Sequence, residues 1–246
     1  MIDFHTHILP EIDDGSSSVK ESLAMLEKLK EQGVNHVVLT PHFYAYSSSA
    51  DNYKEIREKS LQNLLFAIKE ANLDINLYMG SEVLYFDELW RIDNLKDLCV
   101  RGTSYMLLEM PFSVWTDAMI RNTEKLIGKG ITPILAHFER YIKYKGNLEK
   151  IYELANMGVI LQSNSFSFSK FSLRRKVMKF LRKGMVLLLG TDCHNIGDRA
   201  PDYNQAVEYV KKKLSKSEYK RILYMQKRFC RGRRKYTPNN CALIIR

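Results

Sequence analysis

The chain has 246 residues, 45% of them hydrophobic, with only 12 glycines and 6 prolines, which excludes collagen-like and disordered classes. Its 38 lysines and arginines against 28 aspartates and glutamates give a formal net charge of +10, but the excess is local. Residues 1–204 hold 25 basic and 26 acidic side chains, whereas residues 205–246 hold 13 basic and 2 acidic ones, Glu208 and Glu218; this excludes a uniformly basic nucleic-acid-binding domain, and no nucleic-acid partner is expected.

In chain order, the spacing predicts a strand over residues 2–6 and then a helix with a readable start. Ser18-Val-Lys-Glu21 has capping-box spacing, and Val19, Leu23, Leu26 and Leu29 recur as an apolar face. Gly33 ends that helix and an apolar run over 34–40 reads as a strand. A helix over 53–71, a strand over 75–83, a strand over 105–110 and a helix over 117–128 follow. Gly130 precedes a strand over 131–136; a helix over 148–156 then leads through Gly158 to a strand over 159–162. A helix over 172–183 leads through Gly184 to a strand over 185–189, and helices over 203–214 and 217–229 close the series. Glycine after a helix C-cap takes the left-handed conformation that stops the helix, and a near-continuous apolar run after it reads as a strand buried on both faces. Seven strands mostly alternating with helices predict a wound or closed parallel β/α fold. Nothing divides residues 1–204; from about residue 211 the chain turns basic, with a short apolar end at 242–245.

The longest aliphatic strips, such as 185–189, are too short to span a bilayer. The N-terminus carries no basic and apolar leader, so a cytoplasmic location is expected. Cys99, Cys193, Cys230 and Cys241 stand at unpatterned spacings that suit reduced thiols.

Five of the six histidines fall at the carboxyl end of a predicted strand: His5 and His7, His42, His137 and His194. Glu82, Glu109 and Asp192 hold equivalent positions, and Asp13 and Asp14 lie in the loop after the first strand. In a parallel β/α barrel those ends meet on one face, which carries the active site. So many imidazoles and carboxylates converging require cations to neutralise them, and divalent ions such as Mn, Fe or Zn suit these ligands. The number of groups exceeds what one tetrahedral ion uses, so two or three ions are implied. His36, at the start of a strand, reads as structural.

Asp3-Phe-His5-Thr-His7, Asp13-Asp14-Gly15-Ser16, Thr40-Pro41-His42, Gly80-Ser-Glu82, His137-Phe-Glu-Arg140-Tyr141 and Asp192-Cys-His194-Asn195 together resemble the polymerase-and-histidinol-phosphatase (PHP) superfamily. Ile12-Asp-Asp-Gly-Ser, Ala136-His-Phe-Glu-Arg-Tyr and His194-Asn-Ile-Gly-Asp-Arg199 are similar to the bacterial metal-dependent protein tyrosine phosphatases of capsule and exopolysaccharide synthesis, from residue 1 to about residue 203. The resemblance implies a distorted seven-stranded (β/α)7 barrel of the TIM type. A single PHP phosphatase domain is expected over residues 1–246, its barrel ending near residue 204 and a basic helical extension following. It further implies a trinuclear site, usually manganese, with His5, His7, Glu82 and Asp192 on one ion, Glu82, Glu109 and His137 on a second, and Asp14, His42 and His194 on a third. Attack on phosphorus by a metal-bridging hydroxide, without a phospho-enzyme, is implied too. Arg140 and Arg199 match positions that hold the phosphate, a task suited to a planar guanidinium. The expected substrate is a phosphotyrosine protein, a bacterial tyrosine autokinase.

The stretch 43–49 after His42 lacks the basic residues of some relatives, which bears on the substrate-facing rim. Cys193-x5-Arg199 has the spacing of cysteine-dependent tyrosine phosphatases, but a glycine-rich phosphate loop is missing, and thiolate chemistry needs one. Two other readings stay open: a small-molecule phosphatase such as a histidinol phosphatase, and an inert module binding polyanions or an anionic membrane through its basic C-terminus.

Overall fold

The computed structural model describes residues 1–230. The basic run 231–235 and the apolar end 242–245 lie outside the described residues. Strands β1 (Ile2–Thr6), β2 (His36–Leu39), β3 (His42–Phe43), β4 (Asn76–Met79), β5 (Glu82–Leu84), β6 (Tyr105–Glu109), β7 (Thr132–Leu135), β8 (Ile160–Asn164) and β9 (Val186–Gly190) are joined by helices α1 (Val19–Glu31), α2 (Ala50–Glu70), α3 (Asp117–Gly128), α4 (Asn147–Asn156) and α5 (Phe171–Arg182). Two more helices, α6 (Asn204–Lys213) and α7 (Lys216–Cys230), follow β9.

Pairing is parallel throughout, in the orders β1-β2-β4 and β3-β5-β6-β7-β8-β9. Beyond β9, Cys193 bridges to Thr6, the Asp192 amide donates to the His5 carbonyl (2.8 Å) and the His7 amide donates to the Cys193 carbonyl (2.9 Å). The sheet therefore curls until its last strand meets its first.

Each predicted strand run contains a strand, but one is broken and a further short strand falls outside the runs. The run 34–40 yields β2, and β3 begins two residues later, after Thr40-Pro41; the run 75–83 splits at Gly80-Ser81. Proline has no N–H to continue the ladder. Across the gap, Gly80 donates to Leu39 (2.8 Å) and Glu82 to the Pro41 carbonyl (3.0 Å). These kinks turn His42 and Glu82 toward the same end.

The helices follow their local signals. Ser18 caps α1 by accepting from the Glu21 amide (3.2 Å), while the Glu21 carboxylate reaches back to the Ser17 amide (2.9 Å), one residue from the capping-box partner. Gly33, Gly130, Gly158 and Gly184 all have positive φ, as stopping residues require. Met25, Leu26 and Leu29 of α1 are fully buried in the main apolar core, each contributing about 1.5–3 kcal/mol relative to exposure.

A smaller apolar cluster joins Ile2, Phe4, Val38, Tyr78, Leu107, Ile134 and Leu188. Residues of six strands can touch one another only on the concave side of a curled sheet. His36 bonds the Tyr78 hydroxyl (3.0 Å), in keeping with a structural role. Helices α6 and α7 are seated on the body: Ala206, Val210, Leu214 and Ile222 are buried, and Arg221 donates to the Leu181 carbonyl (3.0 Å).

Candidate metal centre

The site grows out of β1. Its first histidine, His5, and the residue just beyond it, His7, are both fully buried. Asp3 ties this strand to the end of β9, accepting from the Thr191 amide (2.9 Å) and hydroxyl (2.6 Å). The next loop folds back beneath His7. Asp13 accepts from His7 Nδ1 (2.7 Å), the His42 amide (2.8 Å) and the Gly15 amide (2.9 Å). Gly15 is required there, because a Cβ would lie 2.2 Å from the His7 carbonyl oxygen. Gly190 is similarly pressed on His5, because a Cβ added there would lie 2.6 Å from the His5 Cβ.

Glu82 stands at the centre, 1% exposed. Its Oε2 lies 3.0 Å from His5 Nε2, 3.1 Å from His7 Nε2 and 3.3 Å from His42 Nδ1, and its Oε1 lies 3.0 Å from His137 Nε2. Glu109 approaches His137 Nε2 at 3.5 Å. Asp192 Oδ1 lies 3.5 Å from His5 Nε2 and 3.6 Å from both His7 Nε2 and His194 Nδ1. Asp14, largely exposed, reaches His194 Nε2 (3.4 Å) and His42 Nε2 (3.6 Å). All nine expected ligands therefore meet at one end of the sheet. His137 (φ +29°) and Asp192 (φ +57°) hold left-handed backbone just past β7 and β9, strain of the kind that concentrates at functional sites.

Three groups bring ligand atoms within 4.8 Å of one another: His7, Asp14, His42 and His194; His5, His7 and Asp192; and His42, Glu82 and Glu109. Two of the three expected sets recur in these groups, apart from Glu82 in the first and with His7 added to the other. In the remaining set His42 stands where His137 was expected, although His137 still contacts Glu82 and Glu109.

Burial alone would make this assembly untenable. It pushes Glu82 up, yet the charge of His5 and the hydrogen bonds of His137, His5 and His7 hold it well below the usual carboxylate range. Asp192 is likewise brought to about 2, burial being outweighed by His5 and its neighbours. Burial pushes the His137 and His7 imidazoles down, but carboxylate bonds win, raising His137 to about 9 and His7 well above its ordinary value. His194 falls to about 3 through burial and the nearby His7. Without ions, protons on His7 and His137 offset part of the carboxylate charge.

The donor set fits divalent cations. Imidazole nitrogens and carboxylate oxygens converge, and buried His42 Nδ1, His137 Nδ1 and His194 Nε2 make no hydrogen bond. His5 Nε2 and His7 Nε2 face each other at 3.1 Å.

Both expected phosphate-holding arginines reach this mouth. Arg199 contacts Asp192 (3.1 Å) and Asp14 (3.3 Å), and Arg140 contacts Asp192 (3.5 Å). Cys193 is buried, and burial pushes its thiol well above its ordinary value, the reverse of what a nucleophilic thiolate needs. A cleft of about 300 Å³ beside the centre is lined by Asp13, Asp14, His42 and Tyr44. A larger one of about 570 Å³, lined by Lys54, Arg57, Lys96 and Arg101, contains none of the nine ligands.

Sequence reasoning missed the supports. Gln162 accepts from the His137 amide (2.7 Å) and bonds His5 Nδ1 (3.2 Å), while Asn164 donates to Asp192 (2.8 Å). Both lie on β8, the strand that had no expected site residue; polar side chains at the end of an apolar run were the available signal. Buried Arg57 donates to the Gly80 carbonyl (3.0 Å) and Ser81 hydroxyl (2.5 Å), pinning the kink before Glu82.

The family described as "Capsular polysaccharide synthesis, CpsB/CapC" matches residues 1–228. The tyrosine-protein phosphatase CpsB of Streptococcus pneumoniae is 30% identical over 237 residues, spanning 90% of this chain and 94% of that protein. The tyrosine-protein phosphatase YwqE of Bacillus subtilis (strain 168) is 28% identical over 224 residues, spanning 87% and 85%. A crystal structure from work on YwqE and S. pneumoniae CpsB, which it calls unique metal-dependent tyrosine phosphatases, superposes with a TM-score of 0.80 at 23% identity, covering 92% of this chain and 93% of that one. With a matched span that takes in every candidate ligand of the centre, the chain belongs to the CpsB/CapC family of capsular polysaccharide synthesis.

Proposed function

We propose that the protein is a metal-dependent protein tyrosine phosphatase that removes phosphate from a bacterial tyrosine kinase controlling capsular or extracellular polysaccharide synthesis. The observation that carries this reading is the buried Glu82 carboxylate, bounded by four imidazoles within 3.3 Å and ringed by further carboxylates. His5, His7, Asp14, His42, Glu82, Glu109, His137, Asp192 and His194 would hold two to three divalent ions, manganese foremost, with Fe or Zn as substitutes. Bound ions of this kind lower the pKa of water and neutralise the oxygens of a phosphoryl group.

The chain's own groups do the rest. Arg140 and Arg199 exchange their aspartate partners for phosphate oxygens and hold the phosphorus over the centre. Asp13 and Gln162 fix the rings of His7 and His5 from behind. Tyr44 stacks on His42 (4.9 Å between ring centres) and Tyr46 on Tyr44 (5.3 Å), while Phe112 stacks on His137 (5.7 Å) under Arg140 (5.4 Å). These rings stand over ligand histidines on either side of Glu82 and supply apolar walls for a phenyl ester. A phenolate, with a pKa near 10, also departs far more readily than a serine alkoxide.

We take β2–β3 and β4–β5 as two staves, each kinked, so that with the other five strands they make the seven staves of a PHP barrel. Within the described residues we take it as one domain, the barrel ending near residue 204 and helices α6 and α7 following as a basic extension. The expected place of action is the cytoplasm, beside the membrane. Among the described residues no helix is long and apolar enough to cross a bilayer.

The test is turnover of phosphotyrosine peptides, phosphoserine peptides and histidinol phosphate by protein stripped with EDTA and reloaded with Mn. Metal-dependent turnover that favours phosphotyrosine is expected. A preference for histidinol phosphate, or turnover untouched by EDTA, overturns the reading.

A further inference from the structure

The electrically balanced part of the chain conceals a second basic region. Between Glu153 and Asp192 there is no acidic residue, while Lys170, Arg174, Arg175, Lys176, Lys179, Arg182 and Lys183 all fall there. In the fold these residues occupy α5 and its approach, and most of them are exposed; Val177, Met178, Phe180 and Leu181 on the inner side are buried.

Two large apolar side chains stand out of this cationic surface. Phe166, in the short 3-10 turn Ser165–Phe168, is 58% exposed, and Phe171, the first residue of α5, is 66% exposed. Each has its own cations beside it: Lys170 lies 4.8 Å from the Phe166 ring centre, and Arg174 and Arg175 lie 5.6 and 5.9 Å from that of Phe171. The surface continues onto the C-terminal helices. Arg174 also sits 4.5 Å from the Tyr209 ring of α6, which ends in exposed Lys211, Lys212 and Lys213, and Arg221 of α7 reaches the end of α5.

We propose that the turn Ser165–Phe168 and α5 form a docking surface for an anionic lipid bilayer. Exposed phenylalanines framed by lysine and arginine match the two components of interfacial binding, apolar insertion and attraction to acidic headgroups. A soluble polyanion would satisfy the cations and leave both rings in water. The surface adjoins the metal centre, since the turn follows β8 directly: Ser167 donates to the buried Glu139 (2.6 Å) and Asn164 to Asp192. Docking there holds the mouth beside the bilayer. The proposal is independent of the phosphatase reading, and it assigns membrane contact to the barrel and not to the basic residues after 230.

The test is cosedimentation of the full chain with vesicles of phosphatidylcholine alone or mixed with phosphatidylglycerol. The wild type is expected to bind only the anionic vesicles. Phe166→Ser combined with Phe171→Ser should weaken that binding about tenfold at unchanged charge. Arg175→Glu combined with Lys179→Glu should weaken it more, as each basic residue near the surface contributes about fivefold. Both variants should retain the circular dichroism spectrum and Tm of the wild type, which shows that they fold. Wild-type protein that ignores anionic vesicles, or a double-phenylalanine variant that binds them as well as wild type, overturns the proposal. So does a wild type that binds an acidic peptide or a single-stranded oligonucleotide through these phenylalanines in place of vesicles.

Discussion

At the scale of single residues, Glu82 carries the most weight. It is fully enclosed, and four imidazoles share its two oxygens. Loss of a group that only supports a ligand commonly costs 10–100-fold in metal affinity or activity, so Glu82→Ala should cost more than about 100-fold in turnover. Circular dichroism should show the fold retained and elemental analysis should show reduced bound metal; a variant with full turnover would remove Glu82 from the centre. Phe112 makes a different claim. With Arg140 above it and His137 behind it, Phe112→Ala should reduce kcat/KM on phosphotyrosine peptides by about three- to tenfold, the range of one aromatic contact. Turnover of a small alkyl phosphate should change little. Equal losses on both substrates would make Phe112 a packing residue.

Among elements, the loop from Ile8 to Ser18 and the kinked strands decide whether the ligands meet. Gly15 lies against the His7 backbone so closely that an added Cβ would require the loop to move. Gly15→Ala should therefore cost about 1–3 kcal/mol of stability, as overpacking does, and displace Asp13 from His7. The expected signature is a lowered Tm together with weaker metal binding in a calorimetric titration. An unchanged metal affinity would show that Asp13 does not orient His7. The helices were legible beforehand because their signals are local: a serine at the cap, an apolar face, a glycine with positive φ at the end. The kink at Gly80-Ser81 was not, because an apolar run reads as one strand until its neighbours show where the ladder breaks; β3, two residues after Thr40-Pro41, is too short to show a period.

For the whole molecule, the centre couples stability to pH and metal. His7 and His137 hold protons more tightly in the folded chain than in the unfolded one. Their stabilisation of metal-free protein is thus complete below the ordinary value of 6.5 and is lost as pH rises through the folded value, about 9 for His137. His42 and His194, shifted downward, act below pH 6.5 instead. Stripped protein should therefore lose Tm between pH 6.5 and 9, whereas Mn-loaded protein should not. Loading at pH 7 should release protons, detectable by calorimetry in buffers of different ionisation enthalpy. A stripped protein whose Tm rises over that interval would contradict the assignment of those protons.

The alternation of strand runs with helices, and the placing of eight candidate ligands at strand ends with Asp14 in the loop after the first strand, were legible in the sequence alone, because strand-end position and residue chemistry are local properties of the chain. The tertiary structure alone decided which atoms meet: that Glu82 lies among four histidines, that β8 supplies Gln162 and Asn164 behind the ligands, and that His42 joins Glu82 and Glu109. It also decided that seven cations with no intervening acid share a surface with two exposed phenylalanines. Such pairings depend on long-range register and on burial, and those arise only when the sheet curls and brings residues nearly two hundred positions apart, such as Asp3 and Thr191, within hydrogen-bonding distance.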